Sequence, residues 1–159
     1  MVRILVCYFS GSGNTQKMAE FIAEGVGAEG VDVDVRNVEN VNCDELLDFD
    51  GIILGSPTYY GTCAAPIKEL IDESVKHHGK LDGKVGGAFS SSANIAGGNE
   101  TTIMNILQML MIHGMIVKGH PNGSHYGPVA VGAPDKNAED ECIAYGRSMA
   151  KLTKKITGE

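Results

Sequence analysis

The stretch "RILVCYFSGSGNTQK", residues 3 to 17, changes character at one point. A nearly unbroken apolar run, residues 3 to 9, gives way to glycines and hydroxyls, and a helical pattern follows. An apolar run without alternation suits a strand covered on both faces, as in a parallel sheet. Met18, Phe21, Ile22, Gly25 and Val26 then recur at spacings of three and four, which marks a helix with one buried stripe. The pattern predicts a strand, a short polar loop and a helix. Parallel strands cannot be joined by tight hairpins, so the rest of the chain must supply crossovers.

It does. "VDVDVR" at 31 to 36 alternates strictly and reads as a strand wet on one face, at the sheet edge. "GIILG" at 51 to 55 reads as a central strand and "KVGGAFSS" at 84 to 91 as a fourth. "MIV" at 115 to 117 and "VAV" at 129 to 131 read as two parts of a fifth, interrupted by "GHPNGSHYGP". Helical stripes are expected at Ile67, Leu70, Ile71 and Val75, at Ile103, Ile106, Leu107, Leu110 and Met111, and at Cys142, Tyr145, Met149, Leu152 and Ile156. Strands alternating with helices imply an α/β doubly wound, five-stranded parallel sheet of order 2-1-3-4-5, in a single domain over residues 1 to 159. In such sheets ligands bind beyond the carboxyl ends of the strands, here between strands one and three. The loops after Phe9, Gly55 and Ser92 should therefore converge.

Composition narrows the ligand. A net charge of −7 argues against nucleic acid. The four cysteines form no CxxC and no Cys/His spacing of a zinc site, so no metal is expected; Cys7 and Cys142 read as buried thiols. No apolar run approaches a membrane span, and the residues before the first strand are too few for a signal peptide, which points to the cytoplasm.

The first loop, Ser10-Gly11-Ser12-Gly13-Asn14-Thr15, opens a helix whose free N–H groups attract an anion, and its hydroxyls and amide add donors. A P-loop would need a Gly-Lys pair, a dinucleotide fingerprint a third glycine and an acid at the end of strand two, and a receiver domain acids after strand one. None is present. The second loop, "SPTYYGT" at 56 to 62, carries two aromatics suited to stacking on a flat ring. The third, "SSSANIAGGNE" at 90 to 100, is small, polar and glycine-rich. Together they describe a mononucleotide with a large planar ring.

These three loops resemble those of flavodoxin-like proteins, which bind flavin mononucleotide (FMN) without countercharge on the phosphate. The likeness spans nearly the whole chain. It implies that Ser10, Ser12, Asn14 and Thr15 bind the phosphate while Gly11 and Gly13 shape the turn. Pro57, Thr58, Tyr59, Tyr60 and Gly61 would line one side of the isoalloxazine, and Ser90, Ser91, Ser92, Ala93, Asn94, Gly97 and Gly98 the other. A backbone carbonyl at Tyr60–Gly61 or Gly61–Thr62 would be able to turn toward the ring, because glycine tolerates both peptide orientations. The chain departs from electron-carrying flavodoxins in having no Trp and no aromatic in the third loop.

The resemblance implies a low-potential one-electron carrier with no catalytic residues. Its partners would be redox proteins of ferredoxin or reductase type with basic patches, steered by acids such as Asp44, Glu45, Asp48, Glu69, Asp72 and Glu73. "PTYYG", "FSSSANIAGGNE" and "IHGM" also resemble the tetrameric NAD(P)H:quinone oxidoreductases once named tryptophan-repressor-binding proteins, whose lengthening segments are missing here. A monomer or weak dimer is therefore expected in preference to a tetramer. His113 reads as a helix C-terminal histidine interacting favourably with the dipole.

Overall fold

The computed structural model describes all residues, 1 to 159. β1 (Arg3–Tyr8) leads into α1 (Asn14–Gly27), β2 (Asp32–Asn37), β3 (Gly51–Pro57), α2 (Ala65–Glu73), β4 (Val85–Ser92), α3 (Asn99–Ile112), β5 (Ile116–Val117), β6 (Val129–Val131) and α4 (Lys136–Thr157). Short 3-10 segments occupy Val38–Asn40, Cys43–Asp48 and Ser74–His77. All strand pairs are parallel in the order β2-β1-β3-β4-β5, as the alternation of elements predicts. β2 is the half-wet edge, and β1, β3 and β4 are buried along nearly their whole length.

The apolar side chains separate into two layers, one on each face of the sheet. α1 and α4 cover Ile4, Val6, Ile53 and Phe89, whereas α2 and α3 cover Leu5, Cys7, Ile52 and Leu54. The α1–α4 layer is closed by glycine: a Cβ at Gly25 would lie 2.1 Å from the Ile143 carbonyl oxygen, and one at Gly146 would lie 2.0 Å from that of Ile22. Backbones approach there because no side chain intervenes.

The fifth strand is split as the sequence suggests, and the structure supplies the reason. β5 pairs with Val85 and Gly86, and β6 pairs with Ser90 to Ser92 on the same edge of β4. Between them the Ala88 N–H has no strand neighbour and donates instead to the Tyr145 hydroxyl at 3.1 Å. A buried N–H left unpaired would be costly. Gly87 makes room for that hydroxyl, which would lie 2.4 Å from an added Cβ.

Three expectations need correcting. Val75 lies beyond the end of α2, in the 3-10 turn, and is exposed. Met111 and Ile156, each in the last turn of its helix, are half exposed. His113 does sit at the C-cap of α3, but it is buried and its Nε2 is 2.8 Å from Ser74 Oγ. Burial, then His78 and His77, push its pKa below the ordinary 6.5. That shift disfavours the cationic form which the helix dipole would stabilise. All four cysteines are buried free thiols, and no helix is long and apolar enough to cross a membrane.

Candidate functional site

At the carboxyl end of the sheet a cavity of about 510 Å³ lies between the loops after β1, β3 and β4. Gly11, Ser12, Asn14, Thr15, Pro57, Thr58, Tyr59, Ser91, Ser92, Ala93 and Gly132 line it. That size suits one small cofactor. No lysine, arginine or histidine contributes to its wall.

The first loop turns at Gly13, which is left-handed (φ 94°) and forms the N-cap of α1. Ser10 Oγ accepts from the Gly13 N–H at 3.0 Å, fixing the turn. No side chain caps the helix, and the first-turn N–H groups of Asn14, Thr15 and Gln16 find no acceptor in the chain. Ser, Thr and Asn are good caps, yet here they leave these donors free. The Thr15 and Ser91 hydroxyls lie 2.9 Å apart in a buried pair. Their mutual bond uses one proton, so the other hydroxyl keeps one for an anion. The donor set therefore fits a phosphate group held by N–H and O–H alone.

The second loop is a two-residue hairpin. Tyr59 and Thr62 exchange backbone hydrogen bonds at 2.9 and 3.2 Å across Tyr60 (φ 51°) and Gly61 (φ 79°). Both central residues take the left-handed form that such a turn requires. Tyr60 projects fully into solvent at its tip. Tyr59 instead leans on the first loop, with its ring edge-on to Phe9 at 6.3 Å and its hydroxyl 2.8 Å from where a Gly11 Cβ would stand. The two tyrosines thus part company.

A chain of hydroxyls ties the second loop to the third. Ser90 Oγ lies 3.0 Å from Thr58 Oγ1, which accepts from Thr102 Oγ1 at 3.2 Å, and the Thr58 N–H donates to the Ser91 carbonyl at 2.7 Å. Ser90 is fully buried and donates to the Ser56 carbonyl, so its hydroxyl serves this linkage rather than the cavity. Thr101 Oγ1 reaches the carbonyls of Gly61 at 2.7 Å and Gly98 at 2.9 Å. The Gly61 carbonyl is held away from free rotation, which leaves the Tyr60–Gly61 peptide as the freer of the two. Asn94, Gly97 and Gly98 form the outer rim, closed by a Gly97 N–H to Asn94 carbonyl bond at 3.0 Å.

Of the residues expected at the site, Gly11, Ser12, Asn14, Thr15, Pro57, Thr58, Tyr59, Ser91, Ser92 and Ala93 meet at the cavity wall. Ser10, Gly13, Tyr60, Gly61, Ser90, Asn94, Gly97 and Gly98 shape or surround it without lining it. Gly132 escaped the sequence reading, although it directly follows "VAV" at the carboxyl end of β6, where the same rule of convergent loops applies. Thr101 carries no such signal, since its partner is 40 residues away. Burial pushes the Cys63 thiol, near the second loop, above its ordinary range.

The sequence profile of the flavodoxin domain family matches residues 5–111. The chain is 39% identical over 160 aligned residues to a flavodoxin of Aquifex aeolicus, covering 95% of this chain and 86% of that one. It is 32% identical to an NAD(P)H dehydrogenase (quinone) of Archaeoglobus fulgidus, covering 98% of this chain and all of the relative, but over 190 aligned residues. A solved archaeal flavodoxin superimposes with a TM-score of 0.81 at 30% identity, covering 96% of this chain and 99% of the other.

Proposed function

The chain belongs to the flavodoxin domain family, and on that premise we propose that it is a flavodoxin-type electron carrier holding one FMN non-covalently in the cavity between its three loops. The observation that carries this reading is a donor set without countercharge: three first-turn N–H groups with no acceptor in the chain, next to a cavity lined by Ser12 and by the Thr15–Ser91 hydroxyl pair, which has one proton to spare. When bound, FMN supplies a ring that takes up and releases electrons one at a time.

The residues divide the work. The N–H groups of Asn14 to Gln16, with Ser12 and Thr15, grip the phosphate at the positive end of α1. Ser10 and Gly13 hold the turn, and Gly11 lets Tyr59 close over it. The Ser90–Thr58–Thr102 chain keeps the second and third loops at a fixed separation, so the ring meets a preformed slot. Pro57 to Gly61 and Ser91 to Gly98 flank that slot and restrict water. The net charge of −7 steers basic faces of protein redox partners toward the molecule. The carrier acts in the cytoplasm, as a monomer or weak dimer.

The quinone-reducing relative supports a second reading, NAD(P)H:quinone oxidoreduction at the same FMN. The longer alignment favours the first, because that relative carries segments with no counterpart in a chain of 159 residues. Reductive titration of the purified yellow protein separates the two. The carrier gives two distinct one-electron potentials and negligible NAD(P)H-dependent quinone turnover. Rapid turnover by a tetramer would replace it with the enzyme.

A further inference from the structure

Far from the cavity, at the amino end of the sheet, the 3-10 turn Cys43–Asp48 that precedes β3 meets the 3-10 turn Ser74–His77 that follows α2. Cys43, Asp44 and His77 each bring one potential ligand atom there, all within 4.8 Å of one another. We propose that this cluster is a binding site for a thiophilic divalent cation of the zinc type.

The donor chemistry is specific. A thiolate, an imidazole nitrogen and a carboxylate are the three side-chain donors that zinc takes in tetrahedral sites, with a fourth position left for water. Thiolate and carboxylate together neutralise a divalent ion. The two turns are brought together by the fold alone, since 33 residues separate Asp44 from His77, and no short motif announces the site.

Two contacts show that the groups at this place already gather around cationic charge. His77 Nε2 is 2.6 Å from Asp44 Oδ1, while its Nδ1 is buried with no partner. The nitrogen that faces the carboxylate is thus Nε2, the atom a metal ion would share with Asp44, in a side chain only 12% exposed. Second, a cation already sits against the cluster: the Lys76 ammonium is 2.7 Å from Asp44 Oδ1. That lysine is half exposed and can swing into solvent when a doubly charged ion with a preference for sulfur arrives. Bound metal would pin the entry to β3 onto the end of α2. Its role is structural or sensory, since the redox cavity lies at the opposite end of the sheet, and the proposal stands whether or not FMN is the cofactor.

Cobalt(II) and zinc(II) titrations of the full chain, kept reduced, test it. The expected result is saturable uptake of one equivalent, with a thiolate-to-cobalt charge-transfer band in the difference spectrum. Cys43→Ser removes that band. His77→Gln weakens zinc binding by at least about tenfold, the low end of what a lost supporting contact costs at a metal site. Lys76→Met, at an exposed position that leaves the core untouched, tightens binding because the competing ammonium is gone. Far-UV circular dichroism confirms that each variant is folded. Absence of uptake by the wild-type and Lys76→Met proteins would overturn the proposal, and so would uptake indifferent to both Cys43→Ser and His77→Gln.

Discussion

The α1–α4 seam and the cavity rim both depend on glycine, and they use it for opposite ends. In the seam, Gly25 and Gly146 remove the last side-chain atoms between two helix backbones, and a methyl group there would meet a carbonyl at close to 2 Å. At the rim, Gly13 turns the chain into a helix whose first three N–H groups find no acceptor, beside a cavity that Asn14 and Thr15 line. One region has no space left over, and the other has donors left over. Damage to the first should register as lost stability, and damage to the second as lost ligand.

Gly146→Ala makes the largest break. The added methyl would stand 2.0 Å from the Ile22 carbonyl oxygen, and backbone cannot yield as a side chain does. We expect a loss of about 3 kcal/mol, a fall in Tm of about 10 °C by calorimetry, with the FMN affinity of the folded fraction little changed. An unchanged Tm would mean that the helices separate freely.

The rim answers next. Ser12→Ala and Thr15→Ala should each weaken FMN by about 1 kcal/mol, or roughly fivefold, and the double variant by roughly 30-fold, read by quenching of flavin fluorescence. Tm of the apoprotein should move much less than for Gly146→Ala. Loss of stability without loss of affinity would erase the distinction between the two regions.

A smaller effect comes from pH on the α4 side. The His120 ring packs against Tyr145 at 5.0 Å, tilted by 59°, and its buried Nε2 has no partner. Burial, then Lys118, push its pKa below the ordinary 6.5. A histidine depressed in the folded state contributes stability above pH 6.5, and that stability is lost as the pH falls through 6.5 toward the folded value. His120→Gln should flatten this part of the urea-denaturation pH profile. An unaltered slope would place the titration elsewhere.

Gly11→Ala should have the smallest effect on stability, within about 0.5 kcal/mol. Its Cβ meets only the far end of the Tyr59 side chain at 2.8 Å, which can rotate away. The same substitution thus sharpens the contrast between rim and seam. A Tm shift like that of Gly146→Ala would show that the rim is packed as tightly as the seam.

How much of this was legible beforehand follows the same division. Apolar runs of residues 3 to 9 and 51 to 55 announce central strands because burial on both faces leaves no alternation. The strict alternation of 31 to 36 announces the edge, and the polar loop after β1 announces a helix start whose N–H groups stay free. Periodicity does not say where a helix stops relative to its neighbours, so Val75 was expected in a stripe that ends at Glu73. Contacts between distant residues leave no local trace. The Tyr145 hydroxyl on Ala88, Thr101 on Gly61 and the Cys43–Asp44–His77 cluster all arise only when the sheet has formed.

On the proposed reading, amides and hydroxyls alone hold the phosphate. The most direct measurement compares the affinity of the apoprotein for FMN and for riboflavin, at low and at high salt. Three donors at about 1 kcal/mol each predict FMN tighter by at least roughly 100-fold, with little dependence on salt because no charged side chain takes part. Equal affinity for the two flavins, or an FMN preference that vanishes in salt, would contradict the account.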